Sequence, residues 1–171
     1  HVWVATDTVG NNRFDDADSN PFMTTELELS VIPGSPEDDN IFSTSFLVNI
    51  NKCLEIYKSR KDIFSVCGNT LPFNFPKQYD EDIYVWQGFS AWGVGIWRDK
   101  WLKMKYSLEK VNYWLNDIHH IRKLDNVSQH YYYALKTMQR KNMISGDGFV
   151  SNYLIENDMY SIFPSQTLVR N

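Results

Sequence analysis

The chain has 171 residues, 43% of them hydrophobic and 15% aromatic, with a net charge of −4. That much apolar side chain can bury a core and argues against disorder, and the length suits one domain spanning residues 1–171. Lysine and arginine are scattered with no basic stripe, which argues against nucleic-acid binding, and no run of eighteen apolar residues could cross a membrane.

Residues 2–8 alternate loosely and carry β-branched side chains, so a strand is expected there. Residues 9–21 are polar and rich in Gly, Asn and Asp, hence a loop. In residues 22–32 Leu27, Leu29 and Val31 fall on alternate positions, which predicts a second strand, or a short helix then a strand, ended by Pro33-Gly34-Ser35-Pro36. The acidic groups Asp15, Asp16 and Asp18, and Glu37, Asp38 and Asp39, lack the spacing of a calcium loop and read as solvated turns. Residues 41–45 predict a short strand.

From Ser45 the period changes. Leu47, Ile50, Leu54 and Tyr57 recur at helical spacing and predict a helix over 46–58. Residues 62–67 and 80–87 read as strands, separated by a long loop over 68–79. Trp97, Trp101, Met104, Leu108, Val111, Leu115 and Ile118 then form a stripe at spacings of three and four. This predicts one long amphipathic helix, and such a stripe usually marks a core face. A second helix is expected over 128–142, followed by a turn at Gly146-Asp147-Gly148 and an irregular tail. The expected fold class is α+β: a β-rich part over 1–97, built on a mixed or split sheet, packed by helices, with two long helices in 98–171.

The first residue is His1, as expected of a chain whose leader has been removed or of an excised segment. With two cysteines, Cys53 and Cys67, this suggests export and one disulfide. Such a bridge would be worth roughly 3 kcal/mol in the chain-entropy model. Asn126-Val127-Ser128 is an N-glycosylation sequon, meaningful in a eukaryotic source. An N-terminal His can chelate copper, but His119, His120 and His130 all fall in expected helices and make no pair for it, so no metal is expected. There is no Cys-x-x-Cys, His-Glu-x-x-His, phosphate-binding glycine loop or nucleophile-elbow serine.

Three segments in order carry a recognisable pattern: Val2-Trp3-Val4-Ala5-Thr6-Asp7, then Phe42-Ser43-Thr44-Ser45, then Asp80-Glu81-Asp82-Ile83 followed by Gly88-Phe89 and Val94-x-x-Trp97. Together they resemble the mono-ADP-ribosyltransferase fold of the heat-labile enterotoxin and pertussis-type toxin A chains. In that family an opening strand carries an arginine. A Ser-Thr-Ser strand leads into a helix, and a Glu-x-Glu strand precedes Val-x-x-Trp. The resemblance covers about the first hundred residues. It implies NAD as cofactor if the chain is active, with Asp82 as the transition-state carboxylate, Asp80 as its partner and Ser43 as an orienting hydroxyl facing the same cleft. Thr44, Ser45 and Trp3 would line the cofactor site.

The departures bear on activity. The family's arginine would fall at Val4, and its two glutamates at Asp80 and Asp82. Aspartate is one methylene shorter, and a carboxylate withdrawn by about 1 Å can cost on the order of 10²-fold in rate. Losing the arginine removes charge-assisted contacts to the diphosphate. The resemblance therefore implies an exported, toxin-like effector that has lost transferase activity and binds a protein partner. The alternatives from other classes are a structural or assembly subunit and a carbohydrate-binding surface protein, for which the six Trp, ten Tyr and ten Phe would suit buried contacts or sugar stacking equally well.

Overall fold

The computed structural model describes residues 41–170 together with the backbone of residues 2–5. The strand expected over 22–32, the loop over 9–21 and both acidic groups lie outside the described residues. Among the described residues the chain is α+β, with six helices and two sheets.

The larger sheet contains β1 (Val2–Ala5), β3 (Ile63–Cys67), β4 (Ile83–Trp86), β5 (Val94–Trp97) and β6 (Tyr160–Pro164), in the order β1-β5-β3-β6-β4. β3 and β6 run parallel and all other neighbours are antiparallel, so the sheet is mixed. The smaller sheet pairs β2 (Ile41–Phe42) with β7 (Val169–Arg170), antiparallel.

Alternation along the strands sends side chains to two separate cores. One face carries Ile63, Val66, Trp97 and Ile162 and is covered by α1 (Phe46–Tyr57). The helix presents Phe46, Ile50, Cys53 and Leu54, which recur at intervals of three and four and so share one side. β5 accommodates this approach with Gly95, where a Cβ would stand 2.7 Å from Leu54 Cδ1 and 2.8 Å from Ile50 Cγ2.

The opposite face carries Cys67, Val94, Ile96 and Phe163 and packs under the helical layer. Phe64 alternates with Ile63 and joins this side, and it shares the face with Cys67, three residues on, because the β3–β6 register shifts between Ile63 and Ser65. The layer contains α2 (Arg98–Trp101), α3 (Leu108–Asn116), α4 (Ile118–Val127), α5 (Gln129–Lys141) and α6 (Gly146–Glu156). Phe149, Val150, Ser151, Asn152, Leu154 and Ile155 of α6 are all buried, so this helix is enclosed on every side. Trp114, Leu124, Leu135 and Met138 of α3, α4 and α5 close over it. Each such side chain contributes about 1.5–3 kcal/mol by leaving water.

Several sequence expectations are corrected. The stripe from Trp97 to Ile118 is not one helix. Trp97 ends β5, α2 is a single turn, residues 102–107 leave the helix, and α3 and α4 are separated at Asp117. Gly146-Asp147-Gly148 opens α6 instead of forming a turn, and the tail expected to be irregular supplies β6, an interior strand of the larger sheet. The helical part is therefore five helices in place of two, and it gives a strand back to the β part.

The expected Cys53–Cys67 disulfide is not formed in the structure. Cys53 lies in the core between α1 and the sheet, and Cys67 in the core on the sheet's other face. A bridge needs Cα atoms within about 7 Å and Cβ vectors that converge, and a sheet stands between these two. Both thiols are free and buried. No helix among the described residues is long and apolar enough to cross a membrane.

Candidate functional site

Ser43, Thr44 and Ser45 connect β2 to α1 and are all exposed. Ser43 donates its backbone N–H to Leu168 O at 2.9 Å, and its carbonyl accepts from Phe46 N at 3.1 Å. The Ser43 and Ser45 hydroxyls lie 3.0 Å apart. Ser45 holds the N-cap position of α1 without a side-chain capping bond. The local structure thus engages Ser43 mainly through its backbone, as the hinge from strand to helix.

Asp80, Glu81 and Asp82 are exposed and precede β4, which begins only at Ile83. The expected strand alternation, with Asp80 and Asp82 on one face, therefore does not arise. Asp82 O accepts from Ser165 N at 2.8 Å. Trp3 sits on β1 opposite Ile96, with Val4 opposite Gly95. The Trp3 side chain lies outside the description.

Ser43 and Asp82 are not on neighbouring strands. β2 pairs with β7 in the smaller sheet, and β4 pairs with β6 at one end of the larger. What links them is the segment between β6 and β7, whose Ser165 is bonded to Asp82 and whose Leu168 is bonded to Ser43. Two residues, Gln166 and Thr167, separate those two anchors.

Among the described residues a further set of polar groups lies between the larger sheet and helices α5 and α6. Ser65 on β3 donates its hydroxyl to Ser161 on β6 at 2.8 Å, and Cys67 Sγ lies 4.0 Å from the Ser65 hydroxyl. Tyr131 of α5 reaches the turn after β4: a Cβ placed on Gly88 would stand 2.4 Å from Tyr131 Oη and 3.1 Å from Trp86 Nε1. Only glycine admits the phenol that closely. Ser151 of α6 lies near the same phenol, and its hydroxyl has no hydrogen-bond partner among the described residues.

The electrostatics of this cluster are those of a protonated, unreactive interior. Burial pushes the Cys67 thiol up to about 12, outweighing the backbone hydrogen bond at Ser90 and the Ser65 and Ser161 hydroxyls. Burial likewise raises Tyr131, and it raises Tyr84 against the hydrogen bond from Leu71. A nucleophile or general base has to ionise near its working pH, and every shift here runs the other way.

Beside the cluster, the loop after β3 lays aromatic rings over β4. Phe73 meets Tyr84 and Trp86 edge-on at 5.5 and 4.9 Å, and Phe75 stacks on Tyr79 at 4.8 Å. Tyr84 Oη accepts from Leu71 N at 3.0 Å and Tyr79 Oη donates to Ile83 O at 2.6 Å, which pins the loop to the strand. Phe73 remains 38% exposed and Val85, pointing to the other face, 49%.

The sequence reading did not single out Tyr131, Ser151, Ser65 or Ser161. The one available signal was Ser65-x-Cys67, two polar side chains on alternate positions of an otherwise apolar strand. The rest come from distant parts of the chain: Ser65 meets Ser161 through the β3–β6 pairing, and Tyr131 and Ser151 come from α5 and α6, which pack on each other. Comparison with family models, curated proteins and solved structures finds no match.

Proposed function

We propose that this chain is a non-catalytic, protein-binding effector that works outside the cell on a degenerate ADP-ribosyltransferase-like scaffold. Support for the scaffold is the order of the three sequence segments, with a strand at Val2–Ala5, a helix directly after Ser45 and a strand at Val94–Trp97. Support for lost chemistry is Val4 where the family has arginine, and Asp80 and Asp82 where it has glutamates. The observation that carries the reading is that Asp80 and Asp82 lie ahead of β4, which begins at Ile83, and so lack the strand alternation that would aim both carboxylates at one cleft. Two carboxylates that no strand holds on one face are not fixed to position one substrate together.

A binding role has a candidate surface in β4 and the loop that covers it. Among the described residues β4 pairs on one side only, with β6, and it presents Val85 and the half-covered Phe73 to solvent. Exposed apolar and aromatic side chains beside an unpaired strand edge suit a protein partner.

The test is labelling with tagged NAD in the presence of candidate target proteins, together with calorimetry for NAD binding. The expected result is no transfer and no NAD binding. Label transfer by the natural chain that disappears in Asp82→Ala would overturn the reading and make the chain an active transferase.

A further inference from the structure

Asn126 is the only asparagine of the chain in an Asn-x-Ser or Asn-x-Thr sequence. The structure gives that triplet a specific setting. Asn126 lies in the last turn of α4, on the outward stripe with His119, Arg122 and Asp125, all exposed. The inward side of the same helix carries the buried His120 and Leu124. A bulky group on Asn126 projects away from the core and meets no packed side chain of α4.

Ser128 separates α4 from α5 in extended backbone, with φ −168° and ψ 126°. Its N–H closes α4 on Leu124 O at 2.8 Å, and its hydroxyl opens α5 by accepting from His130 N at 3.3 Å. The hydroxyl that makes the triplet an acceptor sequence is also a helix cap.

We propose that Asn126 is an N-glycosylation site, filled while the chain is still unfolded. The co-reactant is an oligosaccharide linked to an isoprenoid diphosphate. The Asn126 amide nitrogen forms a bond to the anomeric carbon, and the carbon–oxygen bond to the diphosphate breaks. The diphosphate leaves with the electron pair, and the amide gives up one proton to a base of the transferase. Once α4 and α5 form, Asn126 is helical and the Ser128 hydroxyl is engaged by His130, so transfer precedes their closure. The proposal rests on the reading that the chain is exported. The glycan would stand on the outer side of α4.

The experiment expresses the whole chain in a eukaryotic cell behind a supplied secretory leader, so the answer does not depend on natural export. Digestion with an amidase that releases N-glycans is read by gel mobility and intact mass. The expected result is a single downward shift for the natural chain and for Ser128→Thr, and no shift for Asn126→Gln or Ser128→Asp. Ser128→Asp keeps a good helix N-cap while removing the acceptor sequence, which separates loss of the sugar from loss of the fold. No shift in the natural chain, while a reporter glycoprotein made in the same cells is shifted, overturns the proposal. So does a shift that survives Asn126→Gln. Natural export is tested separately, by locating the chain in its own source without a supplied leader.

Discussion

His120 and Asn152 tie α4 to α6 inside the helical layer, with Nε2 2.9 Å from Oδ1. Asn152 passes the bond on, donating its amide to Gly148 O at 2.8 Å, and the imidazole stacks on Trp114 with ring centroids 5.3 Å apart. Both polar side chains are buried. Asn152→Leu leaves the ring without its partner, and an unsatisfied buried polar group costs about 1–3 kcal/mol. Urea denaturation at pH 7.5 is expected to show that loss. A change within measurement error would mean that water replaces the amide.

The same ring makes stability depend on pH. Burial lowers the His120 pKa, outweighing the Asn152 hydrogen bond and the pull of Glu156 and Asp117. The unfolded imidazole titrates near 6.5. Above that pH both states are neutral and stability is complete. As pH falls below about 6.5 the unfolded chain takes up a proton that the native chain resists, and stability declines until the native pKa is passed. Urea midpoints are expected to fall between pH 7.5 and 5.5, with a shallower fall in His120→Gln. An equal fall in both proteins would assign the effect to other groups.

Cys53 and Cys67 supply a chemical test of the layer arrangement. With the sheet between them, oxidising conditions are expected to leave two thiols that react with Ellman's reagent in denaturant and almost none that react in the native state. Reductant should not move the thermal midpoint. A monomeric species with no titratable thiol in denaturant, from which reductant releases both, would be a Cys53–Cys67 disulfide and would contradict the placement of α1 opposite the helical layer.

Lys100 is a buried cation held by carbonyls. Its Nζ donates to Arg60 O at 2.8 Å and to Ile63 O, and lies 3.8 Å from the centre of the Trp97 ring. The contacts fasten α2 to the start of β3. Lys100→Met keeps the aliphatic stem but strips both carbonyls of their donor, with an expected cost of about 1–3 kcal/mol. Thermal unfolding should show it, and Lys100→Arg should fall between the two because a longer planar head can meet only part of the same geometry.

How much of this was legible in the sequence varies by element. The helix expected over 46–58 is Phe46–Tyr57, and that expected over 128–142 is Gln129–Lys141, because an apolar stripe with one buried side survives in the fold. The stripe from Trp97 to Ile118 misled, because a sheet end, a single turn and two helices keep helical spacing by coincidence: Trp97 enters the core under α1, Trp101, Met104 and Val111 enter the other, and Ile118 is exposed. The interruptions are marked by caps: the Ser107 hydroxyl accepts from Lys110 N and the Asp117 carboxylate from His119 N. Those two polar residues inside the stripe were the readable signal. α6 was missed because enclosure on all sides erases amphipathic periodicity. β6 was missed because Pro164, tolerated as its last residue, resembles a loop signal. At the candidate site, the order of the motifs was visible but the pairing of β2 with β7 and of β4 with β6 was not, since strand partners distant in sequence leave no local trace.

Gly95 connects sequence to architecture most directly, since its missing side chain is what lets α1 lie on β5. Gly95→Ala adds one methyl at 2.7 Å from Leu54 and 2.8 Å from Ile50, closer than packed atoms tolerate. Overpacking of this kind costs about 1–3 kcal/mol. Because both neighbours belong to α1, the cost should be coupled to them. Leu54→Ala alone opens a cavity and is expected to destabilise by about 2–5 kcal/mol. In the double variant the new methyl occupies part of that cavity, so the combined loss should be smaller than the sum of the two, with a coupling of about 0.5–3 kcal/mol. Chemical denaturation of the four proteins measures it. Simple additivity would mean that α1 does not press on β5 at this point, and the packing of that face of the sheet would have to be redrawn.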